Sequence, residues 1–353
     1  MGLVLPTTQI VINMNTILVT GGGGYIGSIL VRLLLEKGYN VKCLDRFFFG
    51  IETVSELLNN NNFQVIRDDI RWFNPKILKD VDCVMDLASL SNDPSSELDP
   101  SKTYDINFLG RVRVANLSKE YSVKKYILAS SCSIYGAQTE TANENSIPNP
   151  LTVYAKSNLL AEKEILPLAD ENFCVTVLRQ ATVYGLSSRM RFDLAINAMV
   201  LNVFKSKKLK LMRDGTQWRP FVHIKDTSNA FIEVVETVDE KVNGQVFNVG
   251  SNEQNIQIKE LPDIIRNIIS TDFEIEWYGD PDMRSYRVDF SKIANIIGFK
   301  PEFTPKDGVK EIVDALAANK VTDSIKTKTV DWYKHLLESQ KLVNDISINS
   351  MII

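Results

Sequence analysis

Thr16-Ile17-Leu18-Val19-Thr20-Gly21-Gly22-Gly23-Gly24-Tyr25-Ile26-Gly27-Ser28 runs a short β-branched strand straight into a glycine-rich turn. Ile29, Leu33 and Leu34 then continue at helical spacing as far as Gly38, a helix-ending glycine. Gly21, Gly24 and Gly27 stand at G-x-x-G-x-x-G spacing. In a strand-turn-helix context that spacing gives a tight turn, a close backbone approach to a pyrophosphate, and close packing of helix on strand. The free N–H groups of the helix start would face the phosphates. Asp45 ends the next apolar run, 24 residues after Gly21. A carboxylate there accepts from ribose hydroxyls and repels a 2′-phosphate, which favours NAD over NADP, with Arg46 pulling weakly the other way. Tyr25, Ile26, Asp69 and Ile70 are further candidates for this site, the last two expected beside the adenine.

Working outward, β-branched runs alternate with amphipathic stretches as far as Leu178, at Ile17–Val19, Val41–Leu44, Phe63–Ile66, Val81–Met85, Tyr126–Ala129 and Val175–Leu178. Six such runs predict an α/β fold, a doubly wound parallel sheet of the Rossmann type, with a smaller C-terminal substrate lobe. The expected layout is an extension at 1–13, a dinucleotide-binding domain at 14–184 with segments around 221–250 returning to it, a lobe for substrate at 185–340, and a tail at 341–353.

Lys and Arg number 40 against 44 Asp and Glu, a net charge of -4, so no global positive field draws in nucleic acid or anionic lipid. No apolar run reaches the roughly 18 residues of a membrane span. Two His and four widely spaced Cys argue against a metal centre or a disulfide framework and fit a reducing cytoplasm.

The chain resembles the extended short-chain dehydrogenase/reductases, in particular the NAD-dependent epimerase/dehydratase family that works on nucleotide sugars. The resemblance spans about Asn15 to Leu337. It rests on Thr20 to Ser28, Asp69-Ile70-Arg71, Leu87-Ala88-Ser89, Asn107, Ser130 to Gly136, Tyr154, Leu178 to Gly185 and Phe221 to Asp226. It implies NAD held by the glycine turn with Leu87, Ala88, Ser89, Asn107 and Tyr154, a nucleotide-diphosphate sugar as substrate, and a homodimer. It also implies Tyr154 as base, Ser131 as its partner, and Ser133 touching the sugar.

The family writes Tyr-x-x-x-Lys, whereas the fourth residue after Tyr154 is Asn158. A tyrosine base poised at neutral pH needs its pKa of about 10 lowered by about three units, roughly 4 kcal/mol. One cation at about 4 Å supplies roughly that much at an effective dielectric of 20. The missing lysine leaves three readings open: a slow enzyme, an altered variant of a normal one, or a relative that has lost turnover but still binds NAD. Substrate candidates are Ser91 and Asn92 after the fourth strand, with Arg189, Arg191, Arg219 and Arg284 for the diphosphate or sugar. The family's dehydratases carry an acidic pair where Cys132 and Ser133 stand, which disfavours water loss. The implied chemistry is oxidation at the sugar C4 to a 4-keto intermediate, leading to an epimer or to a released keto sugar. His223, in an apolar setting, is expected to be a bonded core imidazole.

Overall fold

The computed structural model describes residues 15–269, 271–280, 282, 284–348 and 351. The expected extension at 1–13 lies outside them. The first five sheet strands are β1 (Thr16–Thr20), β2 (Asn40–Asp45), β3 (Phe63–Arg67), β4 (Cys83–Asp86) and β5 (Lys125–Ser131). Together with Cys174–Gln180 and Gln245–Val249 they form a seven-stranded parallel sheet. Its order is Gln245–Val249, Cys174–Gln180, β5, β4, β1, β2, β3. Both faces are covered, as the near-continuous apolar runs require. Leu18, Val84, Leu128 and Val177 pack into one layer, while Ile17, Val19, Met85 and Ile127 pack into the other. Each such side chain contributes about 1.5–3 kcal/mol by leaving water. Chain order reverses between β1 and β4, and at that switch point the carboxyl ends of the strands open a crevice.

All six expected runs are strands of this sheet. The stretch 221–250 divides. Gln245–Val249 joins the sheet as its seventh strand and the helix Ile224–Glu236 packs on α1 (Tyr25–Glu36), whereas Phe221–His223 pairs with Thr182–Tyr184 in a separate three-stranded sheet. Lys208–Met212 pairs in parallel with Glu274–Tyr278. These pieces enclose a second core of Phe192, Ile196, Val200, Leu209, Phe221 and Ile312.

The C-terminal end differs from its expected place. The helix Thr329–Ile346 runs through position 340, where a tail was expected, and lies on the loop after β2. Trp332 Nε1 donates to the Phe48 carbonyl at 2.7 Å, and Tyr333 meets the rings of Phe48 and Phe49. Aromatic partners nearly 300 positions away in sequence, invisible to local pattern, hold it there. No helix among the described residues is long and apolar enough to cross a membrane.

Candidate active site

The glycine turn is built as its spacing predicts. Gly21 has φ +70°, and a Cβ on it would lie 2.8 Å from the Ala88 nitrogen. A Cβ on Gly27 would collide with the Gly21 carbonyl, so helix and turn are in contact only because Gly27 lacks a side chain. α1 starts at Gly24 with no side-chain cap and no acidic residue in its first turn, leaving its N–H groups for a ligand. Asp45 accepts from Gly23 N–H at 3.0 Å and Phe47 N–H at 2.6 Å, and burial raises its pKa. Each oxygen keeps a lone pair for a ribose hydroxyl. Asp69 is clasped by Arg71 and Arg46; burial works to raise its pKa, but these hydrogen bonds hold it below the ordinary range. Asp45, Asp69 and Ile70 line a side cavity of about 100 Å³.

That side cavity shares Gly21, Phe49, Ala88, Ser89 and Tyr333 with the main cavity, about 1070 Å³. This is above the upper end of the roughly 300–1,000 Å³ of ordinary ligand pockets, room for a dinucleotide and a second ligand. Gly24, Tyr25, Ile26, Gly27 and Leu87 line its turn side. The Tyr25 hydroxyl itself is turned away, donating to the Gly185 carbonyl at 2.6 Å.

Tyr154, in the first turn of the helix Val153–Ile165, and Ser131, at the carboxyl end of β5, both line the cavity, and the Ser131 side chain acts on the Tyr154 phenol. Burial raises the Tyr154 pKa. Arg111 pulls it down most strongly, the Ser131 hydroxyl and Arg191 also lower it, and Asp93 pushes up. Ser131 Oγ also accepts from Ser133 N–H at 3.1 Å. Ser89 Oγ, Ser133 Oγ and Arg189 Nη1 are buried on this wall without a hydrogen-bond partner. Buried polar groups left unpaired cost free energy, and a polar ligand in the cavity would satisfy them. Donors, glycine cradle and acidic Asp45 therefore fit a dinucleotide.

Two expected site residues stand elsewhere. Asn107 lines neither cavity; its amide donates to the Leu90 carbonyl and accepts from Leu90 N–H, so it fixes the loop after β4. Asn158 is also withdrawn. Its Nδ2 donates to the Tyr154 carbonyl at 3.0 Å and its Oδ1 accepts from Arg111 Nη1 at 2.9 Å. A short amide inside a helix bonds back to its own backbone where a lysine would extend.

The same cavity is lined by the arginines. Arg191 forks onto Asp193 and reaches Ser91 Oγ at 3.3 Å; Asn92 donates to the same Asp193 and caps the helical turn Asp93–Ser96. Arg189 stacks on Phe49 and bonds Thr329 Oγ1, and burial beside Arg191 pushes its pKa down to about 9. Arg219 and Arg284 both hold Asp282, and Arg284 also reaches Asp93. Sequence reasoning missed Phe49 and Tyr333 on the cavity wall and Arg111 beneath it. His223 is the expected core imidazole, stacked on Phe303 and bonded to Glu311 at 2.8 Å. No cluster of His, Cys, Asp or Glu among the described residues is placed to hold a metal ion.

A crevice at the switch point, a glycine cradle and a Tyr-Ser pair define a dinucleotide-dependent fold of the short-chain dehydrogenase type. The sequence model of the NAD dependent epimerase/dehydratase family matches residues 17–250, and the chain belongs to that family. It is 27% identical over 319 residues to a UDP-glucuronate 4-epimerase of Thermodesulfobacterium geofontis, covering 85% of this chain and 96% of that protein. It is 29% identical over 317 residues to a UDP-glucose 4-epimerase of Lactobacillus helveticus, covering 83% and 94%. Among solved structures, the Bacillus cereus UDP-glucuronic acid 4-epimerase in complex with UDP-glucuronic acid and NAD superposes with a TM-score of 0.78. That match has 27% identity and covers 86% of this chain and 99% of the other.

Proposed function

We propose that this protein is an NAD-dependent nucleotide-sugar 4-epimerase whose substrate is a UDP-linked hexose. The observation that carries this reading is that Tyr154 and Ser131 line one cavity with the glycine cradle and four arginines. Family membership and the UDP sugars named for its relatives support the substrate class. Gly21, Gly24, Gly27, Asp45 and Ser89 hold the dinucleotide. NAD, when bound, supplies a hydride acceptor for oxidation at the sugar C4, giving a 4-keto sugar, and the donor for its reduction.

The chain's own residues do the rest. Tyr154 takes the C4 hydroxyl proton and Ser131 shares it, keeping the phenol oriented. Arg219 and Arg284, oriented by Asp282, meet the diphosphate with forked hydrogen bonds. Arg191, oriented by Asp193, faces the sugar with Ser91. Cys132 packs against the Arg179 carbonyl and offers no acid for water loss. The protein acts as a homodimer in the cytoplasm. Leu109 and Leu160 support the dimer by exposing apolar surface on neighbouring helices, and four free thiols support the compartment.

The test is incubation with NAD and a panel of UDP sugars, with products separated by chromatography. The expected result is interconversion of C4 epimers, slowed about 10²–10⁴-fold by Tyr154→Phe. Reduced nicotinamide accumulating with a free keto sugar would make it a dehydrogenase. Cofactor binding with no product from any UDP, GDP, CDP or TDP sugar would make it a binding relative.

A further inference from the structure

Arg111 is a buried cation in an unusual place. It opens the helix Arg111–Glu120, is 1% exposed, and lies beneath the helix that carries Tyr154. Its guanidinium contacts are almost all neutral. Nη1 donates to Asn158 Oδ1 at 2.9 Å, and Nη2 donates to the Asp86 carbonyl at 3.2 Å and to the Ala129 carbonyl. Nε has no hydrogen-bond partner and stands 3.6 Å from Asp86 Oδ2. That carboxylate also accepts from Thr20 Oγ1 at 2.5 Å and from the Tyr126 hydroxyl; it offsets part of the arginine's field from the sheet side, at a separation longer than a hydrogen bond.

We propose that Arg111 supplies to the Tyr154 phenol the positive charge that a lysine at position 158 would bring, with Asn158 serving as the neutral spacer that keeps the guanidinium in place. This rests on the reading of Tyr154 as the base. Arg111 touches neither cavity and is a positioning residue, acting on the phenol through the field of its charge. Carbonyls and an amide orient a guanidinium without removing its charge, and in a buried site that charge is felt over a longer range than in water. Ala129, which accepts from Arg111, lines the main cavity, so the cation sits one residue layer behind the wall.

The other charged groups around the phenol largely pair among themselves. Asp93 is bonded to Arg284 and to Thr152, Arg191 to Asp193, and Glu162, one turn beyond Asn158, to Arg179 and Ser130. Asp86 and Tyr126 face Arg111 from the sheet. Among the groups that act on Tyr154, Arg111 is the strongest that favours its ionised form. A lysine added at 158 with Arg111 still present would put two cations into one dry pocket, so the two residues are alternatives.

The experiment is a double-variant cycle read in two ways. In the pH dependence of hydride transfer, Arg111→Met is expected to move the acid limb up by about one unit, slowing the reaction about tenfold at neutral pH. Arg111→Met combined with Asn158→Lys is expected to return the limb to its wild-type position. In thermal melting of the ligand-free protein, Asn158→Lys alone is expected to melt below the wild type and the double variant above Asn158→Lys. Folded Arg111→Met with an unmoved limb overturns the proposal. Where that variant does not fold, the double variant decides. A wild-type limb supports the exchange of one cation for the other, and a shifted limb, or a double variant that does not fold, overturns it. An Asn158→Lys protein as stable as the wild type also overturns it, because the pocket would then hold two cations. A wild type with no hydride transfer to any sugar would fail the functional reading instead, while the melting comparison would still report on the cation pair.

Discussion

The two ends of the parallel sheet each bury a cation, and they bury it differently. At the amino edge, Lys125, the first residue of β5, donates to the carbonyls of Val234, Val235 and Thr237 and pairs with Asp239 at 2.8 Å. Those carbonyls end the helix Ile224–Glu236, the negative pole of its dipole, so the ammonium finds every partner it needs in the protein. At the carboxyl edge, Arg111 keeps an unpartnered Nε, and Ser89, Ser133 and Arg189 keep unpartnered atoms nearby on the cavity wall. Burial alone does not separate a structural charge from a functional one. Incomplete bonding does: the open atoms of Ser89, Ser133 and Arg189 line the cavity, where a ligand completes them, and Arg111, one layer behind, keeps its charge for the phenol.

The strongest way to break this division is Lys125→Met. Three carbonyls lose their donor, and buried acceptors left open cost about 1–3 kcal/mol each at most, so about 3 kcal/mol of unfolding free energy is expected to go. Chemical denaturation measures that loss. NAD affinity and turnover of the folded fraction are expected to stay at wild-type values, and a parallel fall in turnover would erase the distinction between the edges. A smaller effect is expected from Asp45→Ala at the end of β2. The ribose loses its carboxylate, so NAD affinity falls about tenfold, about 1.4 kcal/mol, and discrimination against NADP shrinks. Fluorescence titration with both cofactors checks it, and an unchanged ratio would remove Asp45 from the site.

These contrasts also explain what the sequence disclosed. The glycine turn was legible because its chemistry is local: Gly21, Gly24 and Gly27 are needed within seven residues of one another, and the structure uses all three. The six strand runs were legible because a two-sided sheet demands continuous apolar stretches. The seventh strand, Gln245–Val249, reads like the others but follows a lobe, and only the partner Cys174–Gln180 tells it which sheet to join. Tyr154 and Ser131 could be placed by resemblance. The charge beside them could not, since Asn158 looked like a loss and nothing in local spacing brings Arg111 to it across 47 positions. The same holds for Tyr333, which reaches the cavity wall through its packing on Phe48 and Phe49.

The smallest predicted effect separates edge from bonding. Asp69 lies at the carboxyl edge, in the cavity beside Asp45, yet both its oxygens are taken by Arg71 and Arg46. If complete bonding marks a structural group wherever it sits, Asp69 belongs with Lys125. Its carboxyl is held below the ordinary range in the folded protein, against about 3.9 in an unfolded chain. A depressed folded pKa means that the unfolded chain takes up the proton first. The stabilising contribution is therefore whole above about pH 4 and is lost as pH falls through the folded value. Asp69→Asn is expected to flatten that acid limb of the stability curve while changing NAD affinity far less than Asp45→Ala. Should NAD affinity fall as far in both variants, position at the carboxyl edge, and not unfinished bonding, is what marks a functional charge in this fold.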